Sequence, residues 1–133
     1  FNDLSPELQK KALLGPHPSN ADVMTQTGKE AHMKDRKGVR FTEMSPKQQS
    51  FVEGIIKAWV ENLTPSLAQE KLKRVMANKN NLIFSWQGTF NTNELHYYSL
   101  KTDTFIIEFS NRDGGIQHYH TIWRDISEDF LSK

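Results

Sequence analysis

The sequence predicts an α+β fold: N-terminal helices packed on one face of a C-terminal antiparallel β-meander of about four strands. Three observations predict it. A hydroxyl-proline start signal occurs at Leu4-Ser5-Pro6, Met44-Ser45-Pro46 and Leu63-Thr64-Pro65, all in the first half. After the turn cluster Asn78-Lys79-Asn80-Asn81, the apolar period changes from helical to alternating. Short turns such as Lys101-Thr102-Asp103 join the alternating segments, which makes successive strands antiparallel neighbours. Helices first and strands afterwards is the order of a segregated α+β domain.

Each start signal places a side-chain acceptor at the N-cap and a proline at the first helical residue, where its missing N–H costs nothing. The apolar residue before each cap can staple the first turn, and Ser45 with Gln48 completes a capping box. The first helix is expected from Pro6 to about Leu14, stopped by Gly15-Pro16. The second, Pro46 to about Asn62, lines up Phe51, Val52, Ile55, Ile56, Trp59, Val60 and Leu63 as the main core stripe. The third, Pro65 to about Ala77, turns Leu67, Leu72, Val75 and Met76 inward and Lys71, Lys73 and Arg74 mostly outward.

Residues 15–43 are polar and poor in large apolar side chains, so they read as a long surface loop with a helical turn near Lys29–Lys34. His17 and His32 within it read as surface histidines. Strands are expected at Leu82–Gln87, Glu94–Leu100, Thr104–Ser110 and Ile116–Arg124. The chain is thus one domain over 1–133: a helical part over 1–81 containing the 15–43 loop, and a sheet over 82–133.

A chain of 133 residues buries a core without staples. It has no cysteine, which excludes disulfides and thiolate metal sites. Net charge is +1, unlike a dedicated polyanion binder. Residues 1–81 carry 13 Lys and Arg against 9 Asp and Glu, and residues 82–133 carry 4 against 7, an asymmetry that reads as solvated surface. The strand aromatics lack interleaved Lys and Arg, so nucleic acid is not an expected partner. No apolar run approaches the ~18 residues of a membrane span. The chain opens at Phe1 with no basic-then-apolar leader, the expectation for a processed or trimmed chain.

The sharpest chemical signal is Gly114-Gly115-Ile116-Gln117-His118-Tyr119-His120-Thr121-Ile122-Trp123-Arg124-Asp125. Residues two apart on a strand share a face, so the His118 and His120 imidazoles can converge. A three-residue hairpin loop at Arg112–Gly114 sets Glu108 opposite His118, whereas a two-residue Asp113-Gly114 turn sets it opposite Tyr119. The first register gathers two imidazoles and a carboxylate, a ligand set for zinc, iron, manganese or copper, and His96 can join from the neighbouring strand. The same histidines read equally as a buried hydrogen-bond network in a non-enzymatic binding module. Arg124 beside Asp125 and Asp129 reads as a structural ion pair, or as a group steering a substrate carboxylate. Phosphate loops, nucleophile elbows, dinucleotide fingerprints and His-Glu-x-x-His are absent.

The segments Phe84-Ser85-Trp86-Gln87-Gly88, His96-Tyr97-Tyr98, Ile106-Ile107-Glu108-Phe109-Ser110-Asn111, His118-x-His120-x-x-Trp123-Arg124-Asp125 and Asp129-Phe130 resemble, in order and spacing, a largely bacterial family known as domain of unknown function 3500. The likeness covers about residues 38–131. Phe109-Ser110-Asn111 stands where the family has Tyr-Asp-Asn, and Leu131 where it has glycine. The resemblance implies that Trp86, His96, Tyr98, Glu108, His118, His120, Trp123 and Arg124 form one site. It also implies a longer, often exported protein, periplasmic or secreted, whose missing N-terminal region, or another chain, completes the site. The expectation is a metal- or polar-ligand site, in a metal-dependent hydrolase or oxidoreductase. His118, His120, Glu108 and His96 would be the ligands to a divalent zinc, iron or copper ion, with Tyr98, Arg124, Trp86 and Trp123 around a small-molecule substrate.

Overall fold

All three start signals open helices in the computed structural model, which describes residues 1–15, 37–91, 93–111 and 117–125. Helix α1 runs Pro6–Ala12, α2 Pro46–Val60 and α3 Pro65–Ala77. The Ser5 hydroxyl accepts from the Leu8 N–H at 3.3 Å. The capping box on α2 is complete: Gln48 N–H donates to Ser45 Oγ at 3.4 Å, and Ser45 N–H donates to Gln48 Oε1 at 2.9 Å. Thr64 makes no side-chain cap bond, so α3 starts on the preset backbone of Pro65 alone.

Helix α1 stops at Ala12, because Leu13–Gly15 leaves the helix to form strand β1. Strand β2, Val39–Arg40, follows, and then β3 Ile83–Gly88, β4 His96–Lys101, β5 Phe105–Ser110 and β6 His120–Asp125. The strands β3 to β6 pair antiparallel in sequence order, the meander that the alternating segments predict. The sheet exceeds the predicted four strands because both short strands dock on the outer edge of β3. There β1 pairs parallel at Trp86 and Gln87, and β2 pairs antiparallel at Phe84 and Ile83. Strands of three and two residues are too short to show a period in sequence. The predicted helical turn at Lys29–Lys34, His17 and His32 lie outside the described residues.

The register divides the sheet's side chains cleanly. Phe84, Leu100, Phe105 and Ile107 point to the helices and form the core with Val52 and Ile56 of α2, Val75 of α3, Val39 and Leu82. The buried line on α2 is Val52, Ile56 and Val60, narrower than the predicted stripe. Phe51 is 52% exposed, and Leu63 and Leu67 are also exposed. Ile55 and Trp59 of the stripe, partly buried, pack against the same core, and burying one such side chain is worth roughly 1.5–3 kcal/mol.

Lys71 and Arg74 do not point outward. Lys71 Nζ lies 3.0 Å and Arg74 Nη1 3.3 Å from Asp125 Oδ2, tying α3 to the end of β6. Gly38 permits the other close approach. With φ of +130°, a Cβ there would fall 2.4 Å from the Phe84 carbonyl oxygen and 2.7 Å from Ser85 Oγ. The chain therefore crosses directly over β3, and the Ser85 hydroxyl donates to the Lys37 carbonyl at 2.8 Å. Among the described residues no helix is long and apolar enough to cross a membrane.

Candidate functional site

The face of the sheet turned away from the helices is unusual in being both polar and buried. Alternation along β3, β4 and β5 puts Ser85 and Gln87, then Tyr97, Ser99 and Lys101, then Glu108 and Ser110 on this face. All seven are buried, from Lys101 at 7% exposed down to Glu108 at 0%. Polar faces of antiparallel sheets ordinarily meet water. Here each polar group must find a partner, since an unpaired buried group costs roughly 1–3 kcal/mol.

Cross-strand pairing arranges these groups in rows. One row runs Gln87, Tyr97, Ser110, His120 across all four meander strands. The next runs Ser85, Ser99, Glu108, Ile122. A third runs Ile83, Lys101, Ile106, Arg124. The Tyr97 hydroxyl links the first two rows, donating to Glu108 Oε1 at 2.6 Å. The length suits a charge-assisted bond to a carboxylate.

Among the described residues, three buried side-chain atoms have no hydrogen-bond partner: Gln87 Oε1, Ser110 Oγ and His120 Nε2. All three belong to the first row. Ser110 and His120 are direct cross-strand partners, one strand spacing apart. The His118 and His120 rings approach to 4.6 Å between centroids, so the imidazoles do come together. His118 itself is exposed, ahead of the first residue of β6.

The register corrects the expected placement of Glu108. It pairs with Ile122, and Ser110 holds the place opposite His120. Strand β5 ends at Ser110 and β6 begins at His120, and both hairpin turns weighed from the sequence, Arg112–Gly114 and Asp113-Gly114, lie outside the described residues. Glu108 and His120 share the face but stand in successive rows. Arg124 is on it too, one row further.

His96, Tyr98, Trp86 and Trp123 lie on the opposite, helix-facing side, so the eight expected site residues fall on two faces. His96 is stacked between Trp86 and Phe109, at 5.2 Å from each ring. Its Nδ1 sits 2.9 Å from the Glu94 carbonyl oxygen, which only accepts, so Nδ1 carries the proton. Asn111 locks this corner: its Oδ1 accepts from His96 N–H at 2.7 Å, and its Nδ2 donates to the Glu94 carbonyl. His96 thus serves the packing of the strand end. Tyr98 accepts from Trp59 Nε1–H at 3.4 Å, and burial pushes its hydroxyl pKa up. Trp123 stacks on Phe105 at 5.6 Å within the core. Among the described residues no group of three or more His, Asp or Glu is placed to hold a metal ion.

Gln87, Tyr97 and Ser110 escaped the sequence reading. The signal was a polar residue at every second place on three consecutive strands, which alternation alone assigns to a solvated face.

A family profile described as "Protein of unknown function (DUF3500)" matches residues 1–132. The chain belongs to the DUF3500 family. The match extends N-terminally beyond the 38–131 segment that carries the visible motifs, and takes in α1 and β1. No curated protein and no solved structure matches the chain. For this DUF3500 chain, then, the polar face itself is the best guide to activity.

Proposed function

We propose that the protein binds a small polar molecule on the sheet face away from the helices, with Gln87, Ser110 and His120 as its hydrogen-bonding contacts. The observation that supports this is the single row of three buried, unpartnered polar atoms. At ~1–3 kcal/mol each, they cost an amount comparable with the whole stability of a domain, ~5–15 kcal/mol. Binding sites accept such costs because a ligand recovers them. The hydrogen bond from Tyr97, within the row, to Glu108 in the next holds its floor rigid.

This reading has a stability signature. Replacing Ser110 with alanine removes an unpaired hydroxyl, so the free protein melts at the same or a higher temperature while ligand-induced stabilisation is lost. Thermal unfolding of Ser110→Ala and wild-type protein against a library of small polar compounds measures both effects. A destabilised variant, together with no compound that raises the wild-type melting temperature, would refute the proposal.

A second reading rests on the 4.6 Å approach of the two imidazoles. In it, His118 and His120 hold zinc, iron or copper at the edge strand, with Glu108 on the His120 face and His96 excluded by lying on the other. Such an ion would supply a Lewis acid for hydrolytic or redox chemistry. Metal analysis of untagged protein, and melting with each ion added, tests it. His118→Asn and His120→Asn variants that lose stability whatever the metal supply would favour a structural hydrogen-bond network instead.

A further inference from the structure

We propose that the chain carries a second binding site, on the helix-facing side of the sheet, where a neutral sugar stacks on Trp59. The site goes beyond the polar-face reading above and shares no residue with it.

A cleft of about 190 Å³ opens between the C-terminal end of α2 and strand β6, lined by Ala58, Trp59, Asn62 and Thr121. Thr121 ends the row Trp86, Tyr98, Phe109, Thr121, which runs across the helix-facing side. A water needs roughly 10–15 Å³ of such space, so the cleft has room for on the order of a dozen, or for one sugar ring. Unlike the buried polar row, it meets solvent: Ala58, Asn62 and Thr121 are exposed, and Trp59 is half-buried.

The groups that line it are held in place. Trp59 Nε1–H donates to the Tyr98 hydroxyl at 3.4 Å, and the indole packs against the core, so the ring is fixed. Asn62 Nδ2 donates to the Ala58 carbonyl at 3.0 Å and to the Trp59 carbonyl at 3.3 Å. Those oxygens only accept, so the amide cannot be turned over, and its own carbonyl oxygen is what it offers a ligand. The Thr121 hydroxyl can donate or accept.

An aromatic wall with polar groups at its rim selects a ligand with an apolar face and a hydroxyl edge. A pyranose has that shape: its C–H bonds make the face, and its hydroxyls donate and accept around it. Other ligand classes fit less well. A proline-rich peptide also docks on aromatic side chains, but its prolines lack the N–H that the Asn62 oxygen needs. An anion such as a nucleotide phosphate meets the negative end of the α2 dipole. A cation finds no carboxylate among the described residues that line the cleft, and the Lys57, Ala58, Trp59 and Val60 carbonyls are already hydrogen-bonded.

A second ring stands beside the cleft. Tyr119 is 59% exposed, and its ring lies 5.6 Å from that of Phe109, the cross-strand partner of Thr121. Two aromatic platforms suit a chain of sugars better than a single one.

The test titrates the full chain with glucose, cellobiose, cellotetraose and maltotetraose, read by calorimetry and tryptophan fluorescence. The expected result is that at least one oligosaccharide binds, about tenfold more tightly than glucose. Ala58→Gln puts a longer side chain into the cleft from an exposed helix position. It weakens binding about tenfold or more without lowering the melting temperature. Thr121→Val suits a strand and weakens binding about fivefold, the loss of one hydrogen bond. Trp59 is left in place, because it packs on the core and its loss would not separate binding from folding. Ser110→Ala, on the other face, binds the sugar as wild type does. The proposal is overturned if no probe binds at tens of millimolar, or if Ala58→Gln binds unchanged. Binding lost in Ser110→Ala but kept in Ala58→Gln would move the sugar to the polar face and overturn it too. So would a decaproline peptide, a mononucleotide or choline that binds more tightly than every sugar and is blocked by Ala58→Gln.

Discussion

Removing the Tyr97 hydroxyl tests the buried face most directly. Tyr97 is 2% exposed and Glu108 is 0% exposed, with 2.6 Å between the phenol and the carboxylate oxygen. Tyr97→Phe keeps the ring and its packing and deletes only the donor. A hydrogen bond to a charged partner is worth about 1.5–3 kcal/mol, and here the acceptor left behind stays away from water. A chain of 133 residues has an unfolding entropy of roughly 0.28 kcal/mol/K near its midpoint, so ~2 kcal/mol lowers the melting temperature by about 7 °C. Circular dichroism melts at neutral pH measure the shift, and urea titrations confirm it as a fall in midpoint with constant slope. Glu108→Gln keeps an acceptor in place and weakens the bond without abolishing it. The double variant then shows a coupling of about 1–2 kcal/mol relative to the singles. A Tyr97→Phe shift under roughly 2 °C, or strictly additive singles, would refute the claim that this bond holds the polar face together.

Three further outcomes follow from geometry already described. Gly38→Ala introduces a Cβ 2.4 Å from the Phe84 carbonyl oxygen at a φ of +130°, and should cost about 2–4 kcal/mol in urea unfolding. Asp125→Asn leaves Lys71, at 14% side-chain exposure, and Arg74 short of their shared carboxylate, and should cost about 1–3 kcal/mol with little relief from added salt. Burial raises the Tyr98 pKa above its ordinary value of 10.0, so the folded state holds this proton more tightly than the unfolded chain. Its contribution is full below pH 10 and is lost as the pH climbs through the folded value, so Tyr98→Phe flattens the alkaline fall in stability.

The helices were legible because their signals are local. Pro6, Pro46 and Pro65 fix a backbone angle whatever surrounds them, and the box between Ser45 and Gln48 closes within one turn. The meander was legible for the same reason, since each strand pairs with its sequence neighbour. What the sequence withheld depends on distant chain. Leu13–Gly15 is a strand only because β3 offers an edge some seventy residues later. The register of β5 on β6 turns on the connection between Ser110 and His120, and once it is set Glu108 faces Ile122. Period-2 alternation put His118 and His120 on one face but left Glu108 opposite either His118 or Tyr119, according to the turn. The pairing with Ile122 sets Glu108 on the His120 face. Alternation also assigned His96 to the Tyr98 face, which the pairing then carries to the helix side, away from Glu108. Burial was the unreadable part: Ser85, Gln87, Ser99 and Ser110 look like solvated residues until something covers them.

The edge of β3 also governs the order in which this chain can assemble. Every contact from β3 to β6 joins segments that follow one another closely, so the meander can close as soon as it is synthesised. Strands β1 and β2 are made earlier, yet among the described residues their ladder partner is Ile83–Gly88. During translation the early segment must wait, with Val39 unburied, for a surface that comes from the other half of the chain. Docking across so long a loop is the slow, non-local step of folding. The two shortest strands in the sheet thereby become the last to find their places.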